Sequence, residues 1–176
     1  DPKDYRYLFE VNYFGALRAM QAVVPYMKKR GGKIVLISSM AGLFPVAFDG
    51  FYSSSKAALD MLAKSADIEL SPFNIRVTSV QPGGTSTSFT FKRKIYSEED
   101  NKDYSSRVNK ATAALANMEQ GGLNAGEVAK LVADVIAMKK PPCEIQCGKK
   151  NKFYAFAGRV LPENLSLYLN KKMYRQ

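Results

Sequence analysis

Two long segments of the chain carry apolar residues on almost every face, and the short run 34–37 is apolar without interruption. A short continuous apolar run is typical of a strand buried within a parallel sheet, whereas the longer segments have the length of buried helices. The pattern predicts helices over 5–27, 52–70 and 128–138, and strands over 34–37, 75–80 and 143–146. Because strands and helices alternate, the sequence predicts an α/β fold with a doubly wound parallel sheet.

The two longest predicted helices, 5–27 and 52–70, are apolar over more surface than one sheet can cover. A helix that is apolar nearly all round is buried on both sides. We therefore expect each helix to pack against the sheet on one side and against a second subunit on the other. This pattern predicts a homodimer or a homotetramer. Asn12 lies in the middle of the first helix and interrupts its apolar surface.

Residues 85–122 differ from the rest of the chain, because Ser, Thr, Lys and Asn replace many apolar positions. The segment follows the strand 75–80, and a polar insertion of this length at the end of a strand is typical of a substrate loop or lid. The predicted organisation is therefore a domain over 1–148 that contains this loop, followed by a basic amphipathic extension over 149–176.

The net charge of +10 is concentrated near the end of the chain, where residues 139–176 hold nine Lys or Arg against two Glu. Aromatic and Leu residues lie among these cations, and two interpretations stay open: peripheral contact of the tail with an anionic membrane, and a tail that faces only water. Nucleic acid is not an expected partner, because no interleaved aromatic motif accompanies the charge. Liposome pelleting with and without residues 149–176 would test the membrane contact.

Composition excludes several kinds of chemistry. With 176 residues the chain has the size of one domain, and it contains no histidine for acid–base catalysis or metal binding. Cys143 and Cys147 are too few and too poorly spaced for a metal site, and we expect reduced thiols. No apolar run is long enough to span a membrane, and no signal peptide is evident, so we expect a cytoplasmic protein.

The candidate chemistry lies around the strand 34–37, which ends in Ser38 and Ser39 and is followed by Tyr52 and Lys56 on a predicted helix. A Tyr-x-x-x-Lys pair means little by itself, and a second pair occurs at Tyr168 and Lys172. That second pair lies in the basic tail without a preceding strand, so we interpret it as surface. Lys56 lies one helical turn from Tyr52, and its positive charge is expected to lower the tyrosine pKa.

These motifs resemble the short-chain dehydrogenase/reductase family over most of residues 5–147. VNYFG matches the family's helix asparagine with Asn12, and KIVLISSMAG matches its serine with Ser39. FYSSSK matches its Tyr-x-x-x-Lys pair, and QPGGTST matches its Pro-Gly-x-x-x-Thr turn with Thr87. The resemblance implies a Rossmann-like fold and an oxidoreductase that transfers hydride between NAD or NADP and an alcohol or carbonyl compound.

The resemblance also implies roles for the matched residues. Tyr52 would be the acid–base group, and Ser39 would bind the reacting oxygen. Lys56 would bind the nicotinamide ribose, and Asn12 would hold a water that is linked to this lysine. The expected catalytic residues are Asn12, Ser39, Tyr52 and Lys56, and the expected cofactor-binding residues are Asn12, Ser38, Tyr52, Lys56, Pro82, Gly83, Thr85 and Thr87. Ser38 has an alternative structural interpretation, and Asn12 could instead bond across a helix contact.

The family's glycine-rich dinucleotide turn has no match in the sequence. We therefore expect about three βα units to precede Asp1 in the parent protein, at roughly thirty residues each. The residue that selects NAD or NADP would lie there, and this chain alone is expected to bind no dinucleotide. The substrate prediction is an apolar or lipid-like alcohol or ketone. The alternative is a catalytically silent relative that is kept for oligomerisation or regulation.

Overall fold

The computed structural model describes residues 1–89, 93 and 102–174 of the chain. The elements begin with α1 (Pro2–Phe9), a π-helical turn (Glu10–Phe14), α2 (Gly15–Met27), β1 (Gly32–Ile37), a 3₁₀ turn (Met40–Gly42), α3 (Gly50–Leu70) and a second 3₁₀ turn (Ser71–Phe73). They continue with β2 (Ile75–Gln81), β3 (Thr85–Ser86), α4 (Ser105–Gln120), β4 (Leu123–Asn124), α5 (Ala125–Ala137), β5 (Glu144–Gln146), α6 (Lys149–Val160) and α7 (Glu163–Met173).

The main sheet of the described residues has three parallel strands in the order β1-β2-β5. Gly32 pairs with Ile75 at one end of β1, and Ile37 pairs with Val80 at the other. Parallel neighbours need a crossover connection, which α3 and α5 supply. All three predicted strands are therefore present, with ends that differ by one or two residues.

Helices cover both faces of this sheet. On one face, Met20 of α2 and Leu59 of α3 pack with Leu36 and Val77 in the largest apolar cluster. Neighbouring residues of a strand point to opposite faces. Lys33 is directed to the other face, where its ammonium donates a hydrogen bond to the carbonyl of Ile136 in α5. The predicted doubly wound α/β fold is confirmed.

The helix predicted over 5–27 is divided by the π-helical turn Glu10–Phe14. The turn widens the helix by one residue, and turns of this kind are frequent at functional sites. It carries Asn12 towards α3. Sequence periodicity could not reveal the turn, because its residues are as compatible with an α-helix. Pro25 lies inside α2, which ends two residues later at Met27.

The polar segment 85–122 is closed at its base by a two-residue parallel pairing. Thr85 pairs with Leu123 and Ser86 with Asn124, so both ends of the segment are held together. Its helix α4 covers Ser105–Gln120. Residues 90–92 and 94–101 lie outside the described residues, so the lid prediction is untested there.

The basic extension forms two short helices, α6 and α7, separated by Leu161 and Pro162. Both helices expose large apolar side chains, among them Phe153, Tyr154, Phe156, Val160, Leu165, Tyr168 and Leu169. Within the described ranges, no helix is long and apolar enough to cross a membrane. Both cysteines are free thiols.

Candidate active site

The candidate residues meet at the carboxyl end of β1, facing the first turns of α3. Lys56 Nζ donates a hydrogen bond of 3.0 Å to the carbonyl of Ile37, the last residue of the strand. The backbone N–H of Met40 donates to the carbonyl of Pro82 at 2.8 Å, which joins the loop after β2 to the same place. In open parallel sheets this edge is where ligands bind.

Tyr52, Lys56 and Ser39 form one cluster. Lys56 Nζ lies 5.7 Å from the centroid of the Tyr52 ring, and the Tyr52 hydroxyl is hydrogen-bonded to the Ser39 side chain. Ser39 Oγ also accepts a 3.1 Å bond from the N–H of Ala41, which leaves its own hydrogen free for Tyr52. The structure thus brings together the three side chains that the motif spacing selects.

Ser38 lies in a different environment from Ser39. It is buried, and its hydroxyl donates a 3.2 Å bond to the carbonyl of Lys56. A buried side chain that bonds to the backbone of α3 is poorly placed to reach a cofactor. This contact fits the structural alternative for Ser38, and its cofactor-binding role stays a prediction.

Asn12 reaches α3 through a serine rather than through lysine. Its Nδ2 donates a 3.1 Å bond to Ser55 Oγ, which in turn donates a 2.7 Å bond to the carbonyl of Tyr52. The side chain therefore makes the helix-to-helix contact that was the alternative interpretation. Its contact lies beside the Tyr52 backbone, and the water relay to Lys56 stays a prediction.

The loop residues expected near nicotinamide follow β2 directly. Thr85 Oγ1 donates to the carbonyl of Gly83 at 3.0 Å, and Thr87 Oγ1 accepts from the N–H of Phe89 at 3.2 Å. Each threonine hydroxyl therefore holds the shape of the loop. A Cβ at Gly83 would lie 2.5 Å from the side chain of Asn151, so glycine lets α6 approach. Cofactor contacts of Pro82 and these residues stay predictions.

The pKa of Tyr52 is shifted in the direction opposite to the one expected from its spacing to Lys56. Burial raises the pKa of Tyr52, and the Ser39 hydrogen bond lowers it only in part. Burial also lowers the pKa of Lys56, so its ammonium is less favoured than in water. Desolvation is therefore the largest influence on the pKa of Tyr52, and Lys56 is not among the groups that shift it, so the expected lowering by Lys56 stays a prediction.

A buried polar network behind Lys56 was not anticipated. Asp60 lies one turn beyond Lys56, and it accepts hydrogen bonds from Ser79 and from Gln81 Nε2, the latter at 2.9 Å. Burial raises the pKa of Asp60, and its charge favours the ammonium of Lys56. The four-residue spacing from Lys56 is a signal that could have found Asp60.

A second charged group lies beside Tyr52 and has no sequence signal. Arg93 contacts Glu119 at 2.8 Å and Asp49 at 3.8 Å, and its Nη1 is buried without a hydrogen-bond partner among the described residues. Asp49 and Glu119 raise the pKa of Tyr52, whereas Arg93 lowers it. These residues come from three separate segments, so only the fold brings their charges to the tyrosine.

The fold and the side-chain cluster together define a class of protein. It is an α/β protein with a parallel sheet, in which serine, tyrosine and lysine side chains meet at the carboxyl end of a strand. The family model described as short chain dehydrogenase matches residues 1–98. The chain belongs to the short-chain dehydrogenase family, as its motifs indicated.

Related proteins match either most of the chain or about half of it. It is 32% identical over 166 residues to the 3-ketodihydrosphingosine reductase of Bacteroides thetaiotaomicron, covering 93% of this chain and 62% of that protein. Against human retinol dehydrogenase 8 it is 45% identical over 86 residues, covering 48% and 28%. The crystal structure of a short-chain dehydrogenase from Streptomyces avermitilis aligns with a TM-score of 0.77 at 28% identity, covering 97% and 61%. The chain spans about three fifths of the length of the first curated relatives it matches.

Proposed function

We propose that the protein containing this chain is an NAD(P)-dependent oxidoreductase that transfers hydride between nicotinamide and an alcohol or carbonyl substrate. One observation carries the proposal. The Tyr52 hydroxyl is hydrogen-bonded to Ser39, and Tyr52 lies one helical turn from Lys56 at the ligand-binding edge of a parallel sheet. Relatives named as reductases and dehydrogenases support the same class of reaction.

Tyr52 acts as the acid when a carbonyl compound is reduced. Because burial raises its pKa, the phenol is protonated at neutral pH and can donate to the carbonyl oxygen. Ser39 donates a hydrogen bond to the same oxygen as negative charge develops on it. In the reverse direction the Tyr52 phenolate, which is the form left after this donation, takes the proton from the alcohol.

The side chains near Tyr52 also fit the sugar of a nicotinamide cofactor, which supplies or accepts the hydride when bound. Among the described residues the Lys56 ammonium makes a single hydrogen bond, to Ile37, and keeps two N–H donors for ribose hydroxyls. Asn12 would hold a water that connects this lysine to solvent. Pro82, Gly83, Thr85 and Thr87 would contact the nicotinamide end.

The proposed substrate is an apolar or lipid-like alcohol or ketone. Two relatives are named for 3-ketodihydrosphingosine and for retinol, which supports this class. The aromatic ring of Phe89, with its centroid 5.8 Å from that of Tyr52, provides an apolar surface beside the acid–base group.

The direct test is an assay of the intact protein for consumption of NADH or NADPH with a series of ketones of increasing chain length. We expect turnover that rises with chain length, because a longer chain removes more apolar surface from water. Oxidised cofactor with the matching alcohols provides the reverse reaction as a control. No turnover in either direction, with a folded protein that binds neither cofactor, would favour the catalytically silent alternative.

We also propose that the intact protein is a dimer or a tetramer through the surface formed by α1, α2 and α3. Tyr7, Tyr26 and Ile68 are exposed on these helices, at 72%, 84% and 75%. We expect light scattering to give two or four times the subunit mass, and Ile68→Lys to lower it. Ile136→Lys, on the exposed side of α5, is the matched control. A monomeric parent would contradict the proposal.

Peripheral membrane contact of the tail stays a prediction. The exposed Phe153 and Phe156 of α6 lie among Lys149, Lys150 and Lys152, which supports it. Liposome pelleting with and without residues 149–176 tests this contact. Equal binding by both forms would contradict the membrane role of the tail.

A further inference from the structure

A cavity of about 610 Å³ lies between the loop that precedes α3 and the helices α4 and α7. At ~30 Å³ for each water-sized group, the cavity has room for roughly twenty such groups, which is the range of small-molecule sites. It is separate from the Tyr52 cluster, and none of the site motifs contributes to it. Its lining residues are Pro45, Val46, Ala47, Phe48, Ser106, Arg107, Lys110, Leu167, Asn170, Lys171 and Tyr174.

One part of the lining is apolar and is held in an unusual conformation. Phe48 has a φ of +60° and yet is half exposed. A bulky residue in the left-handed region is disfavoured unless its surroundings impose it, and such residues concentrate at ligand sites. The loop around it is tied to α3 by the 3.1 Å bond from the N–H of Val46 to Ser53 Oγ, and to α7 by the 3.1 Å bond from Asn170 Nδ2 to the carbonyl of Pro45.

The other part of the lining is cationic. Arg107, Lys110 and Lys171 converge on the cavity from α4 and α7. Among the described residues no carboxylate lies within ion-pair distance of any of the three, although Arg107 contacts the face of the Phe48 ring at 5.9 Å. Three like charges around one cavity repel each other, and an anion placed between them removes that repulsion.

The cavity is adjacent to the candidate active site. Phe48 precedes Asp49, which contacts Arg93, and both charges act on Tyr52. The same two charges act on Tyr174, which lines the cavity and is hydrogen-bonded to the backbone of Ala47. Along the chain, the loop that ends at Asp49 and the first turn of α3 connect the lining of the cavity to Tyr52.

We propose that this cavity binds an anionic amphiphile, with its apolar chain against Val46, Phe48 and Leu167 and its carboxylate or phosphate among the three cations. The proposed binding depends only on the lining of the cavity and not on the oxidoreductase function. The further step, in which the bound molecule is the substrate or part of it, rests on the proposed oxidoreductase function. The charge of the cavity disfavours an amphiphile with a cationic head group.

Calorimetric titration of the intact protein with decanoate, decanol and decylamine, each below its aggregation concentration, tests the proposal. The three probes share a chain and differ in head-group charge. We expect decanoate to bind about tenfold more tightly than decanol, since each exposed charge pair contributes a modest amount, and decylamine to bind more weakly than both. Decyl phosphate in a further arm distinguishes a phosphate head group from a carboxylate.

Neighbouring lysines of α7 provide a matched pair of variants. Lys171 lines the cavity, whereas Lys172 does not. We expect the double variant Lys171→Gln and Lys110→Gln to bind decanoate only as tightly as decanol. Lys172→Gln should leave the affinity for decanoate unchanged. Circular dichroism confirms that each variant is folded. Equal affinity for the three probes, or equal effects of Lys171→Gln and Lys172→Gln, would overturn the proposal.

The same titrations separate the cavity from the oxidoreductase function. Selective decanoate binding by a protein that consumes no NADH or NADPH with any ketone would support the cavity and contradict the proposed function. Turnover of neutral ketones without selective decanoate binding would support the function and overturn the cavity proposal.

Discussion

Tyr52→Phe is expected to reduce turnover of the intact protein by about 10²–10⁴-fold, the usual contribution of a positioned acid–base group. The substitution removes only the hydroxyl that bonds to Ser39. The ring of phenylalanine keeps the contacts with Phe89 and Lys56, so the fold and the affinity for NADH or NADPH should change little. Steady-state kinetics and cofactor titration of the variant measure the two effects separately.

The chain contains its own control for this experiment. Tyr168 is also followed by a lysine four residues later, but it is 61% exposed on α7 and no strand end faces it. We expect Tyr168→Phe to keep parental turnover. If Tyr52→Phe also retains parental turnover, then the acid–base role assigned to Tyr52 is wrong, whatever cofactor the protein binds.

The pH dependence gives a second readout of the same residue. Burial raises the pKa of Tyr52 above its ordinary value of 10.0, so the phenol stays protonated through the neutral range. A protonated acid is available below its pKa and is lost above it. We therefore expect kcat/KM for ketone reduction to show no loss from Tyr52 ionisation until the pH exceeds 10.0. A loss near neutral pH that disappears in Tyr52→Phe would contradict this direction.

Sequence patterning accounts for the strands and for the order of the elements. β1 contains the continuous apolar run 34–37, whereas β2 also carries Arg76, Thr78 and Ser79, and helices cover both faces of the sheet. The motif spacing also places Ser39, Tyr52 and Lys56 in one cluster, because the carboxyl end of a strand and the start of the next helix face each other.

Other features depend on contacts between distant segments, which spacing cannot reveal. The distance between Tyr52 and Lys56 follows from helix geometry, whereas the desolvation that sets the direction of both pKa shifts depends on what covers them. The π-helical turn at Asn12 has no compositional signature. The cationic cavity is likewise invisible in the sequence, because Phe48, Arg107 and Lys171 meet only in the folded chain.

The two adjacent serines at the end of β1 allow the catalytic role of a hydroxyl to be tested separately from its structural role. Ser39→Ala is expected to lower kcat/KM by about 10²–10³-fold, the range for loss of one donor to a developing oxyanion. Ser38→Ala removes the buried bond to the carbonyl of Lys56, and we expect kcat/KM to fall by less than about tenfold.

The pair is informative because the two variants should lose similar stability. Ser39→Ala removes the cap on Ala41, and Ser38→Ala removes a buried hydrogen bond, each at about 1 kcal/mol in the free energy of unfolding. Urea denaturation measures those losses, and kinetics measures turnover. With stability matched, a difference in kcat/KM isolates the role of the hydroxyl at the reacting oxygen. A larger kinetic loss in Ser38→Ala would reverse the assignment, and equal small losses in both would remove serine from the reaction.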